Sequence, residues 1–500
     1  MGPLPWARHL PDPAVGWDPL SRESLPRAWT KQWETSPRSI ALVGTDRREM
    51  RNAELEEKSR IAAAQLVAAG IEPGDRLIFS AAASLDFVVA YVAAHRLGAI
   101  VVPLNTGYTL NEMRRILDNV APRGAVVDRS ELAEMIRTWS QGTCRVFDLP
   151  IDGPAARNVL LDAAERDTPA LICHTSGTSG VAKGAVLSSG NLLASAEAVR
   201  VAWRWTPEDR LLLALPLFHL HGLGVGINGT LTAGASAVLF DGFDPSVIAD
   251  HAAQREGTVF FGVPTMYHRI VESGRSDAFG RLRLCVSGSA PLSAHLHAQF
   301  AAGAGSSILE RYGMTETVMN VSNPYVGERR PGSIGIPLPG VDIRLDSPTP
   351  GEPGEIQIKG PNVFGGYWNQ SRATANAFTS DGWFRSGDIG HWDADGYLRI
   401  VGRSKELIIT GGYNVYPREV EETLLTHPSV REVVVVGAPS DEWGETVVAF
   451  VVAGEPVDST ELLAFAAERL ISYKRPRRVE FVPELPRNHM GKVVRDQLLC

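Results

Sequence analysis

The alternation of short β-branched runs with helical patterns predicts an α/β protein: a large multi-subdomain amino-terminal domain with mostly parallel sheets plus a β-rich subdomain, and a small mobile α+β carboxy-terminal domain. Three observations carry this. Between residues 38 and 127, apolar runs at 40–43, 76–79, 99–102 and 124–127 are separated by helical patterns at 55–69, 85–97 and 110–119, the layout of strands covered by helices on both faces. The alternation resumes after Ala170 and runs past Leu309, with no repeat of solenoid period. From Gly332 onward the texture changes to short strands and glycine or proline turns (GSIGIPLPG, PGEPGEIQIKGPN), which predicts the β-rich subdomain.

A further change comes near Gly402. The segment GRSKELIITGGYNVYPREVEETL reads as a turn, a strand, a glycine pair and a helix opened by Pro417, a favoured first-turn residue. Residues 431–437 and 446–452 read as strands, and Asp458 with Glu461 makes a capping-box-like start for a helix carrying Leu462, Leu463, Phe465 and Leu470. The expected division is a loose leader over residues 1–30, a large domain over 31–403 and a small domain over 404–500, with a hinge near Lys405. Two bodies joined by so short a connection can pivot but cannot wander.

Composition narrows the chemistry. A chain of 500 residues suggests two to four domains, and 44% hydrophobic with 21% charged residues describes a globular enzyme-sized protein. A formal net charge of -8 argues against nonspecific nucleic-acid binding, which needs a concentrated positive field, and favours small-molecule partners. The four cysteines (Cys144, Cys173, Cys285, Cys500) are too scattered for a disulfide framework or a structural zinc, so a reducing cytoplasmic setting is expected. No membrane span is expected, because the richest apolar region, 81–104, is broken by Asp86, His95 and Arg96. The opening MGPLPWARHLPDP lacks the apolar core of a signal peptide, its acidic residue speaks against a transit peptide, and Trp6 stands where a myristoylation signal needs a hydroxyl.

The most informative segment is HTSGTSGVAKG, residues 174–184, between an apolar strand at 170–173 and a helix beginning around Ser189. Gly177, Gly180 and Gly184 let backbone N–H groups approach an anion; Thr175, Ser176, Thr178 and Ser179 add hydroxyls, and Lys183 a mobile charge. Strand, flexible loop and helix form a phosphate-holding arrangement. The competing reading is a surface loop rich in serine and glycine. A Walker loop fails, since Ala182 replaces its second glycine and Gly184 its magnesium-binding hydroxyl. Residues 224–229 (GVGING) match the G-x-G-x-x-G dinucleotide pattern but lack the strand that must precede it.

With these motifs the chain resembles the adenylate-forming superfamily of acyl-CoA synthetases, luciferases and peptide-synthetase adenylation domains. The resemblance covers residues 45–492 and also rests on PLFHLHGLG (216–224), SGSAPL (287–292), ERYGMTE (310–316), WFRSGDIG (383–390), GRSKELIITGGYNVYPREVE (402–421) and PRNHMGK (486–492). His174 and Ala182 depart from the commoner Tyr and Pro, and neither change removes a donor. The family implies two half-reactions: a carboxylate attacks the α-phosphorus of ATP to give acyl-adenylate and pyrophosphate, then a thiol displaces AMP. Fixed cations and donors suit charge building on the phosphates. The resemblance puts Lys183 and the loop hydroxyls on pyrophosphate, Mg2+ on Glu316 with Thr315 beside it, and the nucleotide near Gly288, Ser289, Ala290, Tyr312, Gly313 and Met314. It assigns the ribose hydroxyls to Asp388 with Arg403. It further implies that Lys492 bridges substrate carboxylate and ribose during adenylation, against the competing reading of a solvated lysine near a chain end. Rotation about Lys405 then brings Gly411, Gly412 and Tyr413 forward for thioester formation.

GGYNVYPREVE is similar to the form in CoA synthetases, so coenzyme A is the expected acceptor; no carrier domain follows in the chain, although luciferase oxidation and carrier loading share the segment. For the acid, Arg311 precedes YGMTE and is expected on the acyl-pocket wall, where a guanidinium beside an alkyl chain would be a buried, uncompensated charge. ERYGMTE with PLFHLHGL and FGVPTMYHR (261–269) is similar to the malonyl-CoA synthetase branch, which implies that Arg311 pairs with a distal carboxylate and His219 lines the pocket, with His221 packing. In the competing reading Arg311 pairs with Glu310. The expected activity is an ATP-dependent acyl-CoA synthetase acting on malonate first and methylmalonate second. The alternatives are a monocarboxylate or aryl-acid CoA ligase and a noncatalytic nucleotide-binding relative, the last opposed by intact Lys183, Glu316, Asp388 and Lys492.

Overall fold

A computed structural model of the chain describes residues 5–11, 18–154, 159–175, 183–347, 349, 351–440, 442–487 and 493–499. The large domain is built on two mixed sheets. One has nine strands, its centre parallel from Ile40–Gly44 through Ser236–Leu239, Arg210–Leu213, Val259–Gly262 and Leu284–Ser287 to Leu309–Tyr312, with antiparallel strands at both edges. The other has seven: Arg145–Phe147, Gly124–Val127, Arg76–Ser80, Ile100–Pro103 and Pro169–Thr175 run parallel, and Lys183–Ser188 and Gly366–Tyr367 close one edge antiparallel.

Helix Leu85–Leu97 shows why the apolar region around it is core. Every residue except Asp86 is buried, Ser84 caps the start by accepting from Phe87 N, and Gly98 ends it at φ 83°. An apolar helix of 13 residues buried on all sides belongs between layers, and among the described residues no helix is long and apolar enough to cross a membrane. Helix Leu110–Val120, in contrast, buries only Met113, Ile116, Leu117 and Val120, and opens with a Thr109/Glu112 capping box.

Two expectations are corrected. Residues 1–30 are not all a loose leader: helix Leu25–Thr35 crosses that boundary, with Leu25 and Trp29 fully buried in the main core, and His9 lies buried in the short helix Pro5–His9. Burying such a side chain contributes about 1.5–3 kcal/mol, which a loose segment would forgo. The phosphate segment is also not strand–loop–helix. Strand Pro169–Thr175 turns back as Lys183–Ser188 in an antiparallel hairpin that pairs Thr175 with Lys183, and only then does Ser188 cap helix Ser189–Ala202. The G-x-G-x-x-G segment lies in the π-helix His221–Ile227 and the start of the α-helix Asn228–Ala233. Its neighbouring glycines serve packing: a Cβ on Gly222 would stand 2.4 Å from Pro216 O, and one on Gly229 2.5 Å from the Trp205 ring.

The β-rich subdomain is a four-stranded antiparallel sheet of Asp342–Asp346, Gly354–Lys359, Phe384–Trp392 and Leu398–Arg403. Beyond it a five-stranded sheet (Ile408–Thr410, Tyr413–Val415, Val430–Ser440, Gly444–Ala453, Arg478–Phe481) packs on helices Pro417–Leu424 and Ser459–Arg469, the latter capped by Asp458 accepting from Glu461 N. Its apolar clusters hold only residues from Ile408 onward, while the main core ends at Leu398. The fold is therefore α/β with mixed sheets, a large domain and a smaller α+β one.

Candidate active site

Three far-apart segments converge on Asp388. It is buried on strand Phe384–Trp392, directly opposite Arg403 in the ladder. Arg403 Nε stands 3.0 Å from Oδ1, and the Tyr312 hydroxyl donates to Oδ2 at 2.5 Å. Burial, and the Asp388 carboxylate beside it, push the Tyr312 phenol well above its usual range, so it keeps its proton and stays a donor. Tyr312 ends strand Leu309–Tyr312, and the turn after it runs through Gly313, Met314 and Thr315 to Glu316. Gly313 is required there, since a Cβ would stand 2.0 Å from Val318 O.

Glu316 is buried, and burial raises its carboxyl above the ordinary range. Its Oε1 accepts from the Tyr367 hydroxyl at 2.8 Å, and the Lys183 ammonium sits 5.0 Å from the centre of the Tyr367 ring. Thr175 Oγ1 bonds Lys183 O at 3.4 Å. Ser176, Gly177, Thr178, Ser179 and Gly180 lie outside the described residues. Among the described residues no group of three or more His, Cys, Asp or Glu side chains could hold a metal. A single carboxylate fits Mg2+ in one specific way: that ion keeps waters and substrate phosphates and needs only one or two protein carboxylates.

Beside Tyr312 on the same strand is a buried cation with unsatisfied donors. Arg311 is 5% exposed, and among the described residues neither its Nε nor its Nη2 has a partner. Burial pushes its pKa down to about 9, which leaves it cationic at neutral pH. Glu310 does not pair with it, because successive strand residues point to opposite faces; Glu310 Oε1 instead accepts from Leu292 N at 3.2 Å. Gly288 makes room for the guanidinium, whose Cζ would be 2.5 Å from a Cβ at that position. Ser289, at φ 71°, places Oγ 3.3 Å from His221 Nδ1, and Ala290 follows it in the same turn.

His221 is a histidine that meets this turn, two positions from the His219 named by resemblance. His221 is buried, stacks on Phe261 with ring centres 6.0 Å apart, and among the described residues leaves Nε2 without a partner. Burial, then Arg311 and His219, hold it well below the usual histidine range, so it is neutral. His219 is half-buried, and its Nδ1 accepts from His221 N at 3.4 Å.

In the small domain Gly411 (φ 56°) and Gly412 (φ 83°) form the two-residue turn joining Ile408–Thr410 to Tyr413–Val415, which explains why both are glycine. Tyr413 is exposed and stacks on Tyr473 at 4.6 Å. Lys405 lies in the short helix Ser404–Glu406. Lys492 lies outside the described residues; flanking it, Val494 N donates to Pro486 O at 2.8 Å, and Arg495 pairs with Glu406 and Glu421.

Sequence reasoning missed Tyr367 and gave His221 only a packing role. The signal for the first was a tyrosine in FGGYWN, residues 364–369, an aromatic run whose polar member needs a partner when buried. For the second, a histidine two positions from another offered no way to tell which ring meets Ser289.

Residues 29–368 match the family of AMP-binding enzymes, and residues 419–492 match the AMP-binding enzyme C-terminal domain. A feruloyl-CoA synthase of Amycolatopsis is 36% identical, covering 89% of this chain and 92% of that protein. A malonate-CoA ligase of Arabidopsis thaliana is 34% identical over 85% of this chain and 78% of its own length. The crystal structure of ATP-bound MatB from Rhodopseudomonas palustris superposes with a TM-score of 0.90 at 38% identity, covering 95% of this chain and 98% of that one. The chain belongs to the AMP-binding enzymes and is an AMP-forming acid–CoA ligase.

Proposed function

We propose that the acid is a short dicarboxylate, malonate first and methylmalonate second, and that it is joined to coenzyme A through an acyl-adenylate. The observation that carries this reading is the buried Arg311 guanidinium with two unpaired N–H groups. A distal carboxylate would satisfy both in a bidentate pair, while an alkyl or aryl acid would leave the charge stranded. The neutral His221 ring, whose Nε2 has no partner among the described residues, is available as a further contact beside His219. Sites that hydrogen-bond a substrate group reject analogues lacking it by factors of about 10⁴.

In the first half-reaction one oxygen of the proximal carboxylate attacks the α-phosphorus and pyrophosphate departs. Lys183 and the hydroxyls of 175–179 hold the departing charge. Glu316, with Thr315 adjacent, is the residue that would take Mg2+, which neutralises phosphate charge when bound. Asp388 accepts from the ribose hydroxyls with Arg403 orienting it, and Gly288, Ser289, Ala290, Tyr312, Gly313 and Met314 frame the nucleotide. Lys492 is assigned to the carboxylate in this step. In the second, the thiol of coenzyme A attacks the acyl carbonyl and AMP leaves; Gly411, Gly412 and Tyr413 are assigned to the acceptor side, with Lys405 as the pivot.

Pyrophosphate release with malonate, methylmalonate, propionate and ferulate, each followed by detection of the CoA thioester, tests the reading. The expected order has malonate and methylmalonate far ahead. Propionate or ferulate in first place would overturn it. Lys492→Ala should abolish adenylation while sparing thioester formation from pre-made acyl-adenylate; equal loss in both halves would remove that assignment.

A further inference from the structure

We propose that Tyr367 is a positioning residue for the ATP end of the reaction, orienting the Glu316 carboxylate for the metal ion and flooring the Lys183 ammonium for the phosphates. The proposal rests on the reading in which Glu316 takes Mg2+ and Lys183 takes pyrophosphate.

One five-residue stretch touches both. Phe364 N donates to Glu316 O at 2.8 Å, and Trp368 N donates to Gly184 O at 2.7 Å, so the chain from 364 to 368 stitches the Glu316 turn to the hairpin strand that begins at Lys183. Between these anchors Tyr367 pairs with Ala185 in the ladder, which fixes the direction of its side chain. Its hydroxyl then meets Glu316 Oε1 at 2.8 Å while its ring face meets Lys183 Nζ at 5.0 Å. The same ring packs edge-on against Phe364 at 4.9 Å, and Phe364 contacts Phe378 and Phe384.

Packing alone would be met by a fourth phenylalanine in that cluster; the hydroxyl is what a packing role leaves unexplained. A carboxylate held at one oxygen presents the other in a fixed direction, and loss of such an outer partner costs metal affinity about 10- to 100-fold in characterised sites. Tyr367→Phe and Tyr367→Leu separate the two functions. The first deletes the hydroxyl and keeps the ring; the second deletes both.

Metal affinity is read without turnover, by titrating Mn2+ into enzyme with α,β-methylene-ATP and following free Mn2+ by electron paramagnetic resonance. Tyr367→Phe should weaken Mn2+ binding about tenfold, with calorimetric affinity for metal-free pyrophosphate within about twofold of wild type. Tyr367→Leu should weaken both. Adding Tyr367→Phe to Glu316→Gln should cost nothing further, because the hydroxyl acts through that carboxylate. Unchanged Mn2+ affinity in Tyr367→Phe, beside a clear loss in Glu316→Gln, overturns the role of Tyr367 alone. Unchanged Mn2+ affinity in Glu316→Gln overturns the underlying metal reading. Equal losses of Mn2+ and pyrophosphate in Tyr367→Phe would show general disruption and also overturn the proposal.

Discussion

Arg96 and Arg311 are equally buried, each 5% exposed, yet their surroundings are opposite. Arg96 closes the long core helix and spends its guanidinium on Asp162, the Glu56 carboxylate and backbone carbonyl, and the Ser59 hydroxyl. Among the described residues Arg311 Nε and Nη2 have no partner. A buried cation is tolerated only when compensated. Arg96 brings its anions with it, and the partner of Arg311 is not among the described residues of the chain. Under the proposed function, the contrast separates an arginine that holds the fold from one that would meet the distal carboxylate of the acid.

The largest expected effect is on Arg311→Leu. It should lower kcat/KM for malonate by about a thousandfold while leaving propionate unchanged or improved, measured by coupled CoA-thioester formation. Its urea midpoint should hold or rise, since an uncompensated buried charge is removed. Arg96→Leu should do the reverse, costing about 3 kcal/mol of stability by stranding Asp162 with the acid preference intact. If both variants lose stability equally, the distinction between them collapses.

A pH experiment sharpens the comparison on the other face of the same strand. Burial raises the Glu310 carboxyl to about 7, and its Oε2 has no partner among the described residues. A carboxyl whose folded pKa lies above its unfolded one binds more protons when folded, so the burden of its charge grows as pH rises from the unfolded value toward about 7. Glu310→Gln should therefore stabilise by roughly 1–3 kcal/mol at pH 8 and by nearly nothing below pH about 4.5, read from thermal midpoints. A constant difference across pH would show that the carboxyl does not titrate there.

The smallest effect concerns Ser289, held at φ 71° with Oγ against His221. Ser289→Gly should relieve left-handed strain and stabilise by about 0.5–1 kcal/mol. It should also lower malonate kcat/KM by about tenfold, because the His221 ring loses the hydroxyl beside Nδ1. Stability gained without loss of malonate turnover would make His221 a packing residue after all.

Much of this molecule was legible in the chain. The runs at 40–43, 76–79 and 124–127 became strands, and the Gly411–Gly412 pair became a turn with both residues at positive φ. Asp388, Tyr312 and Arg403 were named by resemblance and stand together. The hairpin in place of a strand–loop–helix was not legible, because Lys183–Ser188 is too short and too mixed in character to stand out from its loop. Nor was the buried start of helix Leu25–Thr35, whose Leu25 and Trp29 find their partners in later helices.

The sequence by itself determined what depends on neighbours along the chain: the strand and helix periods, the caps at Ser84, Thr109 and Asp458, and the glycine turns, all set by local dihedrals and short-range hydrogen bonds. Only the tertiary structure decided which polar groups meet. Tyr312 and Asp388 are 76 positions apart and Tyr367 and Glu316 are 51 apart, and among the described residues it left Arg311 Nε and Nη2 without partners while it gave Arg96 several. Periodicity tells a side chain which face it occupies, but the partner across that face is chosen by how whole sheets pack.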